Sequence, residues 1–314
     1  MSIQRPKYSL MCAALLLLMP CGCSERQSPP PVSSSAVPPP IVWFSNWISQ
    51  TYGKFSCCSF TQIPVTSVTD QVFFPDILLK RFAARSFFSA VFTNQNPYSS
   101  GPLLFYGAEF PSALHAYGIY SSSPSGIDQS AVRGGPSKRV GMTMVALKDS
   151  RVVWTGPVLN GTSPALYDYE LPFTALCNAL PGSQWILPPE VASLSIISPA
   201  PDCIEFTPEN YMGLPFFNGA LRARFYSTDG SVELFSLIPS PGETGYDQLR
   251  DFRDWLKLQG ITAMVVLVDH EERLFVNQPG LDPLYLVART NQLCGVKGMK
   301  SITDAQGLLA RWQR

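Results

Sequence analysis

His115 and His270 are the only imidazoles in the chain, so acid–base chemistry near neutral pH would most naturally run through one of them. His115 sits among aromatic and small residues in a segment that reads as a short helix, where a packed or surface histidine is the simpler account. His270 sits in a polar turn between two apolar runs. No Gly-x-Ser-x-Gly elbow accompanies either one, so a Ser-His-Asp triad has no support. His270-Glu271 begins like the zinc helix His-Glu-x-x-His, but no second histidine follows at that spacing. Asp269, Glu271 and Glu272 crowd one turn, where carboxylates can share a proton or hold a cation; a solvated turn explains them more simply. Asp247, Asp251 and Asp254 alternate with Arg250, Arg253 and Lys257, as on a charged helix face. With no Gly-rich phosphate loop and no Cys-x-x-Cys pair, the residues point to no enzyme, no cofactor and no metal.

Cysteine chemistry is more informative near the start. Arg5 and Lys7 precede an apolar run from Leu10 to Met19, too short to span a bilayer and shaped like an export signal. Two cysteines follow. Bacterial lipoprotein signals end in small residues before a cysteine that is acylated. Cys23 has Gly22 before it and is the favoured lipid attachment site; Cys21, preceded by Pro20, is the alternative. Residues 24–40 are mostly Ser and Pro and cannot bury a core. They read as a semi-rigid polyproline spacer between lipid and domain. Ser24 is not the Asp that retains many lipoproteins at the inner membrane, so an outer-membrane site facing the periplasm is expected.

Outside the cytoplasm disulfides are permitted. The cysteines of the expected mature domain are Cys57, Cys58, Cys177, Cys203 and Cys294, an odd number, so one at least is free or pairs between chains. Cys177 and Cys203 flank a domain junction and could clip it.

The 314 residues can bury a sizeable core. Formal net charge is +0, which offers nothing to nucleic acid. The 29 prolines argue against a helix-only fold. Trp43 and Trp47 have helical spacing and read as core. Pro75-Asp76 opens a helix that gives way to a strand near Phe87. Residues 103–122 read as a strand, a Pro-Ser turn and a short helix. Residues 232–260 read the same way: Ser240 and Glu243 form a capping box, Tyr246, Leu249, Phe252 and Leu256 an apolar face, and Gly260 a stop. Each helix is followed by a hairpin, 139–157 in one case and 261–280 in the other.

The expected fold is therefore α+β, with two pseudo-symmetric halves, each strand–helix–hairpin on an antiparallel sheet. The expected divisions are a signal peptide at 1–23, a tether at 24–40, a first half at 41–165, a crossover at 166–200, a second half at 201–292 and a helical tail at 293–314.

Phe110-Pro111-Ser112-Ala113, Gly118-Ile119-Tyr120 and the segment 206–226, with Pro208-Glu209-Asn210-Tyr211, resemble an exported bacterial family known only as a domain of unknown function. The resemblance spans roughly residues 70–290 and departs from the family pattern before 103 and after 293. It implies an envelope location and a duplicated α+β fold, and carries over no catalytic residue. The expected function is a lipid-anchored, non-enzymatic envelope module that binds a protein partner. The alternative is a small-ligand module with Tyr211, Phe216 and Phe217 as an aromatic rim on a cleft between the halves. A structural crossover that plugs the core competes with that rim.

Overall fold

The computed structural model describes residues 44–63, 65, 73–94, 101–128, 135–156, 165–182, 186–195, 203–227, 230–268 and 271–312. Cys21, Cys23, Trp43, Asp269 and His270 lie outside the described residues.

The fold is α+β, built on two antiparallel sheets. The first holds β1 (Thr51–Tyr52), β2 (Phe55–Ile63), β3 (Ser86–Asn94), β4 (Leu103–Glu109), β5 (Ile127–Asp128), β6 (Ser137–Val140), β7 (Thr143–Lys148) and β8 (Arg151–Gly156). Their order is β1-β2-β3-β4-β8-β7-β6-β5. The second holds β9 (Ile204–Thr207), β10 (Ala220–Ser227), β11 (Gly230–Leu237), β12 (Met264–Val268), β13 (Glu271–Val276), β14 (Leu284–Ala288) and β15 (Leu293–Lys297). Their order is β12-β13-β14-β15-β11-β10-β9.

In the first sheet β4 leads into helix α3 (Ala113–Ser122), and the chain returns through β5–β7 to set β8 beside β4. In the second, β11 leads into helix α6 (Gly245–Leu258) and the return through β12–β14 sets β15 beside β11. The two hairpins matched by sequence therefore occupy different places. β7–β8 lies next to β4, whereas β12–β13 forms the far edge of its sheet. The strand beside β11 comes from 293–297, a stretch expected to be part of a helical tail. Local turn chemistry identifies a hairpin; it does not say which distant strand that hairpin will meet.

Apolar side chains fill three layers. On the outer face of the first sheet, Phe88, Phe92 and Phe105 pack under α1 (Ser45–Ile48) and α4 (Leu166–Ala179). There Trp47 is core as expected, its indole donating to the Pro172 carbonyl at 2.9 Å. Between the sheets, Phe87 and Trp154 from one side and Tyr285 and Val296 from the other enclose α3. The short helices α2 (Asp76–Arg81) and α5 (Pro189–Ser195), and α7 (Ile302–Trp312), contribute to this layer. On the outer face of the second sheet, Phe235, Leu274 and Leu286 pack under α6.

The two long connecting helices differ as their sequences require. Four successive residues of α3, Ala116 to Ile119, are buried, as in a helix enclosed on all sides. Tyr117 Oη donates to the Ile204 carbonyl at 2.9 Å, tying α3 to β9. A Cβ on Gly118 would sit 2.2 Å from the Phe82 ring, so only glycine lets that ring lie against the helix. α6 is one-sided: Leu249, Phe252 and Leu256 are buried, while Tyr246, expected on that face, is 46% exposed. Its cap is Thr244 with Asp247, each side chain bonded to the other's backbone N–H, four residues after the expected Ser240 box. Gly242, at φ +92°, turns the chain between the two candidate caps.

Candidate functional site

The aromatic segment 208–219 folds as a loop closed on itself. The Tyr211 amide donates to the Phe217 carbonyl at 2.8 Å, and Gly219 to the Pro208 carbonyl at 2.9 Å. Asn210 and Met212 take left-handed backbone angles, φ +53° and +57°. Asn tolerates this; for Met it is a strained choice. The closure turns Tyr211 and Phe217 inward, where both are buried under α6, Phe217 with its centroid 5.3 Å from that of Phe252. Phe216 is partly buried against the same cluster. Tyr211 and Phe217 are thus core residues rather than a rim. The space between the sheets, where a cleft was expected, is filled by the central layer.

Tyr211 also anchors a charged network. Its hydroxyl donates to Glu233, which also accepts from Arg224 Nε at 2.8 Å and from Arg222 at 3.4 Å. Arg222 reaches on to Glu205 at 2.5 Å, so the network crosses β11, β10 and β9. Burial alone would raise the Glu233 pKa, but the hydrogen bonds from Arg224 and Tyr211 and the two guanidinium charges outweigh it and hold it below the usual range. Burial, then the Glu233 charge, pushes the Tyr211 hydroxyl far above its ordinary value. An ionised, saturated carboxylate and a fixed phenol supply neither base nor nucleophile at neutral pH; they lock the loop to the sheet.

The locked loop presents Met212 and Leu214 to a cleft of about 350 Å³ beside α6. Phe252, Trp255 and Leu256 form one wall, Ile261, Val276, Leu281 and Leu284 another. Lys297 and Asp282, paired at 3.2 Å, are the charged residues lining it. Such a basin suits an apolar ring or short chain with a polar end. Sequence reasoning missed it, because its lining comes from four separate stretches, at 212–214, 252–261, 276–284 and 297.

Next to the cleft runs the second feature. β12 reads Met-Val-Val-Leu-Val, a composition suited to burial on both faces, yet Met264, Val265 and Leu267 are 48%, 45% and 75% exposed. Among the described residues its strand neighbour is β13 alone. The other sheet edges are blunted: β1 and β5 are two residues long, and β9 packs Ile204 and Phe206 against α3.

The remaining candidates form no reactive group among the described residues. Ser112 Oγ lies 2.9 Å from His115 Nδ1 and caps α3; burial, then the Arg85 charge, lowers the imidazole pKa. Among the described residues the hydrogen bond given to that ring is the one with Ser112, and no carboxylate completes a triad there. Glu271 pairs with Arg273 and Glu272 with Arg253. Asp247 and Asp251 pair with Arg250, and Asp254 with Lys257. No cluster of three or more metal-ligating residues occurs among the described residues. Cys177 is buried and Cys203 exposed, and no disulfide joins them, so the expected clip is not formed. Among the described residues no helix is long and apolar enough to cross a membrane.

No family model, curated protein or solved structure matches the chain.

Proposed function

We propose that this chain is a lipid-anchored, non-enzymatic module of the bacterial envelope that docks a protein partner by strand addition at β12. One observation carries the reading: an uncharged, five-residue apolar strand left bare at a sheet edge. Such an edge offers backbone donors and acceptors in register, and apolar side chains on both faces, to an incoming strand. Acylation of Cys23, or of Cys21, and the tether at 24–40 would hold the domain at a membrane, the outer one facing the periplasm in a two-membrane cell. The resemblance to the exported family of unknown function fits this placement. So does a duplicated origin of two halves: in each sheet a helix and four further strands follow one strand, β4 in the first and β11 in the second, and the last of the four is set beside that strand.

Hydrogen exchange tests the docking role. In isolated envelopes the β12 amides are expected to exchange at least tenfold more slowly than in the dilute purified domain. Equal exchange in both settings would end the docking reading. Membrane attachment is a separate matter: Cys23→Ala should release the protein into the soluble fraction, and release by Cys21→Ala alone would move the lipid to that residue.

A second reading, small-ligand capture, is favoured by the cleft beside α6. The probe 1-anilinonaphthalene-8-sulfonate, an aryl ring with an anion, should bind the native protein and lose affinity on Trp255→Ala and Lys297→Ala. Unchanged binding in both variants would exclude the cleft.

A further inference from the structure

We infer that the strand that completes the β12 edge is β12 of a second copy of this chain, paired antiparallel about a two-fold axis through Val266. This names the partner of the proposed docking site, and so rests on that reading. Centred on Val266, the pairing sets Met264 opposite Val268, Val265 opposite Leu267 and Val266 opposite itself, so all five residues of β12 take part. The result is one continuous sheet of fourteen strands, seven from each copy.

Charge favours this occupant. β12 has no ionisable side chain, so a charged partner strand would gain nothing there, whereas an identical one brings no repulsion. Val265 and Leu267 share a face with Leu274, the face covered by α6. A two-fold axis perpendicular to the sheet keeps that face common to both copies. α6 carries three arginine or lysine residues, Arg250, Arg253 and Lys257, against Asp247, Asp251 and Asp254, so it brings no net charge to that shared face. The chain as a whole carries formal net charge +0, which leaves no long-range barrier to self-association.

Geometry also sets the expected strength. Five paired residues fall well short of the roughly 1,200 Å² of a standard stable interface. The dimer should be concentration-dependent in solution and favoured where a tether confines copies to one surface.

The test uses the mature, lipidated chain in mild detergent, with the exposed Cys58 and Cys203 changed to Ser. Directly opposed residues of an antiparallel pair have Cα atoms about 4.5 or 5.5 Å apart, and both separations permit a disulfide. Val266→Cys should therefore give a covalent dimer under mild oxidation, and adding Leu267→Lys should cut the yield at least tenfold. Tyr226→Cys, 91% exposed on β10 away from the edge, is the control and should stay monomeric. Far-ultraviolet circular dichroism verifies that each variant is folded. Folded Val266→Cys protein that remains monomeric, with β12 amides still protected in envelopes, would overturn the second copy and leave docking of another protein. Monomer together with unprotected β12 amides would overturn both. A dimer insensitive to Leu267→Lys would also overturn the proposal, because the contact would lie elsewhere.

Discussion

The far edge of the first sheet is β5, two residues long; the far edge of the second is β12, five residues long and wholly apolar. The helices wired to these sheets differ in the opposite sense. α3 is enclosed between the sheets with four successive residues buried, while α6 lies outside and shows solvent a charged face. A shared run of strand, helix and four strands thus gives two results. In the first sheet the helix is spent on joining the two sheets and the edge is kept short. In the second the helix stays outside, next to a cleft and a bare strand. Which strand and which helix face stay exposed follows from what the joint between the sheets leaves uncovered, not from the order of elements.

The largest effect should come from breaking the joint. Ile119 on α3 is fully buried in the layer shared by both sheets. Ile119→Ala should cost about 3 kcal/mol and lower the denaturant midpoint of both sheets in a single transition. Separate transitions would show that α3 does not couple them.

A smaller effect is expected at the network under the loop. Glu233→Gln should cost about 2 kcal/mol through the lost charged hydrogen bonds to Arg224 and Arg222. The pH dependence has a definite sign. The folded carboxyl has the lower pKa, so the unfolded chain takes up the proton first. Its contribution is complete above the unfolded value of about 4.3 and is lost as pH falls through the folded value. Thermal melts of the two proteins should differ most at neutral pH and converge in acid; a constant gap would place the cost in packing.

The smallest effect on stability, and the sharpest contrast, is at the two edges. Leu267→Lys and Ile127→Lys both replace exposed side chains and should each change stability by less than about 0.5 kcal/mol. Sedimentation at high concentration should separate them: only Leu267→Lys should reduce self-association. Equal behaviour would remove the distinction between the edges.

Much of the first sheet and the helix–hairpin units could be read from sequence. Strand 103–109, helix 113–122 and the two hairpins each combine a clear period with turn residues at the ends. The cap of α6 was misplaced because Ser240/Glu243 and Thr244/Asp247 carry the same local signal, and only the turn at Gly242 separates them. β14 and β15 were not placed as strands. Buried throughout, Leu284–Ala288 has no alternation by which to identify it. The site was less legible. Tyr211 drew attention as an aromatic in a turn-rich stretch, but its partner Glu233 is 22 residues away and paired through sheet register. The cleft depends on Met212 from the loop, Trp255 from α6 and Leu281 from the turn before β14 meeting in space, which no local pattern encodes.

The position of α7 has a consequence in time. Ala305, Leu308 and Leu309 complete the layer between the sheets, and the Trp312 indole reaches Ser193, 119 residues earlier. While the ribosome is still making the second sheet, the joint lacks its last component. A chain built this way keeps its central layer open until residue 312 has been made, and an open layer delays commitment to the folded state.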